Sequence, residues 1–526
     1  MPPKQVNTYD DSAFEHFCAE LVNQGFSPVR GTEQQEWLGP VRPSLRTLTN
    51  ATRMKVSFPE GWPLRYARVT VEGLQTEHAA RGVICLWAED DPAQVGGRDL
   101  NVLWERVDEW AAAAQRGFRV EDRALDAYVG FDELGGYHAE LPLADLICRG
   151  NNGYRAPLTA ANRAGTLIIK PGGTSDAGDE GKPRLQGAFY LRRHLDSPPR
   201  NLEEIRDLLT NRQVKDLECG LERREPAALA EPSGGHDFIV LAWPRHGSDH
   251  DALVVGFENR GASLRATAMA VTPSDTVSRK RRSGPDADLL RDKTVLIAGA
   301  GSVGGHVAAA LASSGVGAIK IHDSDRLKSV NLVRHVCPEY LTGFPKTLAV
   351  SAVIRGHAPW AGVHRGDALS YAPATLAAQV HGVDLVLDCT GVFSLSAALA
   401  DVCRQTATPL ITGALYHAGA LFRIRRQAPG DTPIAARLMD PDYLDLPTED
   451  RVAPQAGFLE LGCTAPVNNA SPIAVLSAAA EISHAAVDFL AGRHHWPDER
   501  IVVLRPLQAP FNRTGVFDGP RRGGTT

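Results

Sequence analysis

Hydrophobic and polar positions along the chain follow three different patterns. Near the N-terminus, the spacing of amphipathic helices occurs in FEHFCAELVNQG and LNVLWERVDEWAAAAQRG, which end at Gly25 and Gly117. Short strands around a turn rich in proline and glycine are predicted in MKVSFPEGWPL and YARVTVEG. The pattern therefore predicts a mixed domain of helices and strands over residues 1–125.

The middle of the chain, residues 126–275, is less regular. Two strands are predicted in FIVLAWP and DALVVGFE. A polar, glycine-rich and mobile loop is predicted in KPGGTSDAGDEGKPR, and a linker in TPSDTVSRKRRSGPDAD. We assign no chemistry to this intermediate domain from its sequence.

Strand and helix patterns alternate from Lys293 onward, which predicts a doubly wound parallel sheet within residues 276–515. The least polar stretch, Thr294–Ile321, carries a histidine and two glycine pairs. It therefore predicts strand, turn, helix and strand rather than a membrane span. A disordered tail is predicted for residues 516–526, which end in GPRRGGTT.

Composition narrows the class of protein. A chain of 526 residues with 43% hydrophobic and 22% charged residues predicts two to four soluble domains. The net charge of -6 and the absence of a long basic block argue against a nucleic-acid binder. The N-terminus lacks the pattern of a signal peptide, so we expect a cytoplasmic protein. None of the eight cysteines forms a C-x-x-C pair, which argues against a structural zinc site. The size of the chain and the lack of a signal peptide argue against a disulfide framework.

A glycine motif, G-x-G-x-x-G, follows the first strand of the C-terminal pattern as Gly299, Gly301 and Gly304. These glycines allow a tight turn, the approach of a phosphate to the backbone and close helix–strand packing. The helix N-terminus then offers free N–H groups to an anion. The next strand ends at Asp323, where a carboxylate can bind ribose hydroxyls. This motif alone fits an NAD-dependent oxidoreductase as well as an ATP-using enzyme.

The residues that follow favour ATP. Asn331, Arg334 and Lys346 supply polar and cationic groups for a triphosphate, which a dehydrogenase does not need there. At this point the chain resembles the ThiF/MoeB and ubiquitin-activating family. That family has an acid-x-acid strand end, here Asp323 and Asp325, then an Asn-Leu-x-Arg segment and a Gly-x-x-Lys.

The resemblance covers residues 285–505 and implies a Rossmann-like adenylation domain that binds ATP and Mg²⁺. It implies that Arg334 and Lys346 contact phosphates and that Asp388 holds Mg²⁺, although Gly391 replaces the second acid of the family's turn. It also implies a homodimer.

The family also uses an arginine just before the first strand, often donated across the dimer. The nearest match in this chain is Arg282, with Arg281 and Arg279 as rivals.

Two cysteines are candidate nucleophiles. Cys463 lies in a Gly-Cys-x-x-Pro turn before a long helix, where the helix dipole stabilises a thiolate. The ubiquitin-activating branch of the family has a catalytic cysteine after a crossover segment, and the resemblance assigns this role to Cys463. The other interpretation is a buried, unreactive thiol. Cys337, Cys389 and Cys403 are predicted to be core residues.

The second candidate is Cys85, in a region that resembles the ubiquitin-conjugating α+β fold. Phe58-Pro59 and Trp62-Pro63 match that family's proline turn, and Gly82-Val83-Ile84-Cys85-Leu86 matches its catalytic segment. Trp104 matches the tryptophan that follows. The upstream His-Pro-Asn of most conjugating enzymes is missing, since no Asn lies between Val56 and Ile84, so His78 becomes a candidate to replace it.

Together the two resemblances imply an activating and conjugating enzyme similar to those of CBASS anti-phage operons. Its partner would be the C-terminal tail of a ubiquitin-like protein or of a cGAS-like nucleotidyltransferase. Cys463 would take the acyl group from the adenylate, and Cys85 would pass it to an amine of a target protein. The alternatives are a sulfur-carrier adenylyltransferase with a non-catalytic N-terminal module and an NAD-dependent oxidoreductase.

Overall fold

The computed structural model describes most of the chain. The described residues are 8–118 and 131–520, without 33, 75, 77, 81, 88–90, 174–183, 194, 196–197, 245–249, 262, 449–456 and 459–466. The chain divides into two compact units, residues 1–275 and 276–526.

The first sheet of the N-terminal unit is antiparallel and shares a core with two helices. Its elements are α1 (Asp11–Asn23), β1 (Ser27–Pro28), β2 (Glu36–Pro40), β3 (Arg53–Ser57), β4 (Arg68–Thr70), β5 (Ala79–Ala80), β6 (Val83–Ile84) and α2 (Leu100–Arg116). The strand order is β1-β2-β3-β4-β6-β5, and short 3₁₀ helices form at Pro43–Leu45 and Pro92–Arg98. The helices and strands predicted here are confirmed.

Helix α2 shows why this sequence folds locally as it does. The Asp99 side chain accepts a hydrogen bond from the Asn101 N–H at 2.8 Å and caps the first turn. Leu103 and Val107 recur at helical spacing and are fully buried. The helix ends before Gly117, whose φ of +84° suits glycine.

The second sheet of this unit is a closed barrel. Its elements are β7 (Leu134–Leu141), α3 (Leu143–Ile147), β8 (Arg155–Arg163), β9 (Thr166–Pro171), β10 (Leu185–Leu191), α4 (Leu202–Leu208), α5 (Asn211–Glu222), β11 (Phe238–Pro244), β12 (His250–Arg260) and β13 (Ser263–Pro273). The order around the barrel is β10-β11-β12-β13-β7-β9-β8. The two predicted strands are confirmed as β11 and β12.

The barrel has two hydrophobic cores. Leu158 and Val240 belong to one, and Tyr190, Leu217 and Leu241 to the other, which includes residues of α4 and α5. Both faces of β11 are therefore buried, which explains its continuous apolar run. In the predicted mobile loop, residues 174–183 lie outside the described residues.

The C-terminal unit alternates strands and helices as predicted. Its elements are α6 (Thr276–Lys280), α7 (Ala287–Leu290), β14 (Thr294–Ala298), α8 (Ser302–Ser313), β15 (Ala318–His322), α9 (Lys346–His357), β16 (Gly362–Gly366), α10 (Pro373–Val380), β17 (Leu385–Asp388), α11 (Phe393–Gln405), β18 (Leu410–Tyr416), β19 (Leu421–Gln427), β20 (Gly457–Phe458), β21 (Val467–Asn468), α12 (Pro472–Leu490), β22 (Glu499–Val503) and β23 (Gly515–Asp518). The predicted linker thus contains a short helix, α6.

The large sheet of this unit has the order β16-β15-β14-β17-β18-β19-β22-β23. Its first five strands are parallel, and β19, β22 and β23 continue it in antiparallel pairing. Helices α8, α9 and α12 cover one face, and α10 and α11 cover the other. The parallel strands therefore bring their carboxyl ends, and the loops that follow them, to one edge.

The predicted disordered tail begins too early. Residues 515–518 form the edge strand β23, so the prediction is wrong for residues 516–518. Backbone pairing with β22 and a bidentate contact from Arg500 to Asp518, at 2.7 and 2.9 Å, hold this strand. Residues 521–526 lie outside the described residues.

Helix α12, rather than the stretch Thr294–Ile321, is long and apolar enough by composition to cross a membrane. In the structure, 56% of its apolar window is buried inside the unit, and Val475, Ile482 and Ala486 are core residues packed with α8. Its composition is therefore explained by burial within the protein.

Candidate functional site

The glycine turn links β14 to α8 at the carboxyl edge of the sheet. Gly299 has a φ of +90°, and a Cβ on Gly304 would lie 1.9 Å from the Gly299 carbonyl oxygen. A Cβ on Gly301 would meet nothing within 4 Å. Two of these glycines are thus required by the fold, whereas Gly301 borders open space, as the approach of a ligand to the backbone requires.

The start of α8 can bind an anion. Gly301 is the N-cap residue and provides no side-chain hydrogen bond to the first turn. The N–H groups of this turn therefore receive no acceptor from the N-cap side chain, and they carry the positive end of the helix dipole.

Asp323 supports the glycine turn from the end of β15. Its Oδ2 accepts a hydrogen bond from the Ala300 N–H, and its Oδ1 accepts one from the Asp325 N–H, both at 2.8 Å. Each carboxylate oxygen accepts more than one hydrogen bond. Asp323 therefore holds the turn and retains acceptor capacity for the predicted ribose contact.

Asp325 and Lys346, both predicted to belong to the nucleotide site, contact each other in the structure. The Lys346 ammonium donates to Asp325 Oδ2 at 2.7 Å, and the Lys346 N–H donates to the Asp325 carbonyl oxygen at 2.9 Å. The lysine side chain is 13% exposed and the aspartate 69%. The pair fixes Lys346 at the start of α9, and the Asp325 N–H in turn donates to Asp323, which supports the glycine turn.

Arg334 and Asn331 lie in the 3₁₀ helix Ser329–Arg334. The Arg334 guanidinium donates through one nitrogen to the carbonyl oxygens of Asn468, at 2.5 Å, and Ala470, at 3.4 Å. Asn331 Oδ1 accepts from the Lys328 N–H at 3.0 Å. Arg334 therefore joins this helix to the segment before α12, and its other N–H groups have no acceptor among the described residues, as the predicted phosphate contact requires.

Asp388 ends β17 next to Ala298 of β14 and is 2% exposed. Its Oδ1 accepts from the N–H and the hydroxyl of Thr390, at 3.0 and 2.7 Å, and its Oδ2 accepts from the Ser396 hydroxyl. One acceptor position on Oδ2 is left, which suits a single carboxylate ligand of a phosphate-bound Mg²⁺. Within the described residues, no group of three or more His, Cys, Asp or Glu side chains could hold a metal.

His335 is a functional candidate that the sequence did not indicate. Its Nδ1 accepts from the Cys337 N–H at 3.3 Å, so Nε2 carries the proton and donates to the Ala300 carbonyl oxygen at 2.9 Å. Burial lowers the pKa of His335 and keeps the ring neutral. His335 thus holds the carbonyl group of Ala300, whose N–H donates to Asp323, and no motif marks it because it acts through a backbone carbonyl.

The C-terminal region matches a known family. Residues 279–486 match the sequence model of the ThiF family. This region is a ThiF-family domain. The chain also aligns with the solved structure of E. coli MccB with ATP, at 17% sequence identity and a TM-score of 0.34. The alignment covers 45% of this chain and 66% of the MccB chain.

Two curated relatives align with part of the chain. The SAMP-activating enzyme E1 of Haloferax volcanii is 33% identical over 136 residues, which are 25% of this chain and 50% of the relative. The ATP-dependent ubiquitin transferase-like protein Cap2 of Vibrio cholerae is 26% identical over 177 residues, which are 32% of this chain and 29% of the relative. The alignments span half or less of the length of such relatives.

Arg282 lies away from the other cofactor-site residues of the ThiF-family domain. Ser283 lines a cavity together with Ser314, and Ala287 packs against Gly315, just beyond the C-terminal end of α8. The glycine turn is at the other end of that helix. Within one chain Arg282 is therefore near the end of α8 opposite to the glycine turn, and its contact with ATP, including donation across a dimer, stays a prediction.

The predicted core cysteines of the ThiF-family domain lie in apolar surroundings. Cys337 is 4% exposed and Cys403 is fully buried, and burial raises the pKa of each thiol to about 12. Burial and the neighbouring charge of Asp388 raise the pKa of Cys389. A thiol with a raised pKa is a poor nucleophile near neutral pH. Cys463 lies outside the described residues.

Cys85 follows a two-strand hairpin in the N-terminal unit. The register of β5 and β6 places it opposite His78, and the Cys85 N–H donates to the His78 carbonyl oxygen at 3.0 Å. The thiol is buried and donates weakly to the Trp87 carbonyl oxygen at 3.9 Å. The His78 ring is 1% exposed and packs edge-on against Phe118, with centroids 4.3 Å apart. The backbone of His78 therefore positions Cys85, while its ring is part of the core.

Proposed function

We propose that the ThiF-family domain uses ATP to adenylate the C-terminal carboxylate of a partner protein, either a ubiquitin-like protein or a cGAS-like nucleotidyltransferase. The main support is one arrangement: the glycine turn, the Asp325–Lys346 pair and Arg334 lie at the carboxyl edge of a parallel sheet. The names of the two relatives, a SAMP-activating E1 and an ATP-dependent ubiquitin transferase-like protein, support the same activity.

The chemistry is a nucleotidyl transfer. The first turn of α8 binds phosphate oxygens, and Lys346 and Arg334 neutralise the charge that develops on them. The partner's carboxylate attacks the α-phosphorus, the bond to the β-phosphate breaks, and pyrophosphate leaves. Asp388 would hold Mg²⁺, which would offset the charge of the triphosphate.

The acyl group then moves to thiols. Cys463 attacks the acyl-adenylate and releases AMP, and Cys85 takes the acyl group from Cys463 as a thioester. An amine of a target protein receives it from Cys85, as in ubiquitin-conjugating enzymes. This proposal includes a ubiquitin-conjugating-like N-terminal fold, a homodimer that places Arg282 near the partner chain's nucleotide, and a cytoplasmic, anti-phage role.

An exchange and thioester assay tests this function. The full chain would be incubated with Mg-ATP, labelled pyrophosphate and proteins encoded beside it, and products would be run on non-reducing gels. The matched control is the same partner with an amidated C-terminus, which lacks the reacting carboxylate. We expect exchange only with the free carboxylate, and a thiol-sensitive adduct that Cys463→Ala abolishes and Cys85→Ala stops one step later.

Other results of this assay separate the alternatives. Exchange without a thiol-sensitive adduct would favour a sulfur-carrier adenylyltransferase with a non-catalytic N-terminal module. No exchange combined with tight NADH binding would favour an oxidoreductase and would contradict the proposal.

A further inference from the structure

The hydroxyl of Tyr66 lies beside the segment that carries Cys85. It accepts a hydrogen bond from the N–H of Leu86, the residue after Cys85, at 3.3 Å. The Tyr66 ring packs edge-on against Trp87, with centroids 4.9 Å apart. A Cβ on Gly97 would lie 2.9 Å from the Tyr66 Cβ, so the glycine leaves room for the tyrosine. Tyr66 is therefore fixed with its hydroxyl at the thiol segment.

The Tyr66 hydroxyl has a proton for which the described residues provide no acceptor. A phenol oxygen can accept and donate at once, and here it accepts from Leu86. Within the described part of the chain, no group accepts a hydrogen bond from this hydroxyl. Burial, and then negative charge on Cys85, raise the pKa of Tyr66, so the hydroxyl keeps its proton near neutral pH.

Among the residues that the structure describes, few other polar groups can serve at Cys85. The His78 ring is packed in the core against Phe118. The sequence has no Asn between Val56 and Ile84. Arg106 is close, but its Nε donates to the Leu86 carbonyl oxygen at 2.6 Å and its NH1 contacts Glu109 at 2.9 Å. The Tyr66 hydroxyl is therefore a neutral donor at this segment, and none of the described residues accepts its proton.

We propose that Tyr66 is a catalytic residue whose hydroxyl donates a hydrogen bond to the carbonyl oxygen of an acyl group on Cys85. The inference rests on the proposed function, in which Cys85 carries a thioester. The amine nitrogen forms a bond to the carbonyl carbon, and the carbonyl π electrons move to oxygen as an oxyanion that Tyr66 stabilises. The oxyanion collapses, the C–S bond breaks, Cys85 leaves as thiolate, and the nitrogen loses a proton to solvent.

The test uses a chemical acyl donor, so it does not depend on adenylation or on the identity of the partner. The full chain would be acylated with a short glycine-ended peptide thioester of mercaptoethanesulfonate and then desalted. Transfer from Cys85 to butylamine would be followed by peptide mass spectrometry in single turnover. The variants are Tyr66→Phe, the matched control Tyr9→Phe in the same region, and Cys85→Ala to assign the adduct.

A second readout separates catalysis from structure. Alkylation of Cys85 by iodoacetamide forms no oxyanion on a carbonyl group, so a residue that acts on the oxyanion leaves its rate nearly unchanged. We expect Tyr66→Phe to slow transfer to butylamine roughly 10²-fold, as loss of one oxyanion donor does. We expect the alkylation rate of Tyr66→Phe to stay within about twofold of the parent rate, a change in activation free energy well below the 1.36 kcal/mol of a tenfold change. Tyr9→Phe should match the parent in both reactions.

Other outcomes would contradict either the role of Tyr66 or the role of Cys85. Equal transfer rates in the parent and Tyr66→Phe would overturn the role of Tyr66 and leave the proposed function intact. A parallel loss of alkylation would make Tyr66 a structural residue. Absence of an adduct at Cys85 in the parent, or the same labelling in Cys85→Ala, would overturn the role of Cys85 in the proposed function and this inference together.

Discussion

The two candidate sites differ in the contacts that hold their residues in place. In the ThiF-family domain, Asp323 binds the glycine turn, Lys346 binds Asp325, and His335 binds Ala300, all through polar contacts. Beside the Cys85 segment lie two described ring contacts, the Tyr66–Trp87 pair and the His78–Phe118 pair.

This difference separates two ways of positioning reactive groups. A polar network fixes atoms by direction and transmits a local change to every partner. An aromatic site fixes atoms by packing, and it keeps water and competing charges away from a thioester. We therefore expect removal of a polar side chain from the first site to change ligand binding before stability, and loss of a buried ring near the second to change stability first.

The largest effect is expected from Trp62→Ala. Trp62 is fully buried against the rings of Phe14, Phe17 and Phe58. Loss of its side chain should destabilise the N-terminal sheet by about 3–5 kcal/mol. Urea unfolding followed by tryptophan fluorescence measures this loss, with Val22→Ala on the exposed side of α1 as a control. ATP affinity, measured by calorimetry, should stay unchanged because the nucleotide residues belong to the other unit, and a large change would contradict this expectation.

The next effect distinguishes two glycines of one motif. Gly304→Ala places a Cβ 1.9 Å from a backbone carbonyl and should destabilise the ThiF-family domain by about 3 kcal/mol. Gly301→Ala meets no neighbour, so thermal unfolding should match the parent, while affinity for a non-hydrolysable ATP analogue should fall about tenfold. Parent-like nucleotide binding by Gly301→Ala would contradict a nucleotide at this turn.

Lys346→Met tests the charge at the start of α9. Because Asp325 is 69% exposed, loss of the ion pair should cost less than about 1 kcal/mol of stability. Pyrophosphate exchange should fall about 10²-fold, since the developing phosphate charge loses its cation. Lys320→Met on the neighbouring strand is the control. Equal losses in both variants would point to a general electrostatic effect.

The smallest effect is a pH dependence. The pKa of His335 is lowered in the folded protein, so below the ordinary histidine pKa of about 6.5 the unfolded chain binds more protons. Stability of the ThiF-family domain should therefore fall as pH drops from about 7.5 to 5.5. His306 and His322, whose pKa values burial also lowers, contribute in the same direction. His335→Gln should reduce the slope of melting temperature against pH, and an unchanged slope would contradict the role of His335.

The predictions that the structure confirms depend on short sequence motifs. The glycine turn and the alternation of strand and helix depend on neighbours in sequence, so the residues themselves indicated β14, α8 and β15. The barrel did not follow from its sequence, because its closure pairs Ala268 with Leu134 and Ala139 with Val271, which are distant along the chain. The sequence also did not indicate Tyr66 or His335. Each side chain contacts a backbone group that is distant along the chain, and such a contact leaves no motif.

Closure of the barrel also determines how its backbone amides exchange their hydrogens with solvent. Each strand from β7 to β13 has a neighbour on both sides, whereas the sheet of the ThiF-family domain ends in the edge strands β16 and β23. Amide hydrogens of a closed sheet have no frayed border from which exchange with deuterium can begin. We therefore expect the barrel strands to exchange late and together, and the amides of β23 to exchange early.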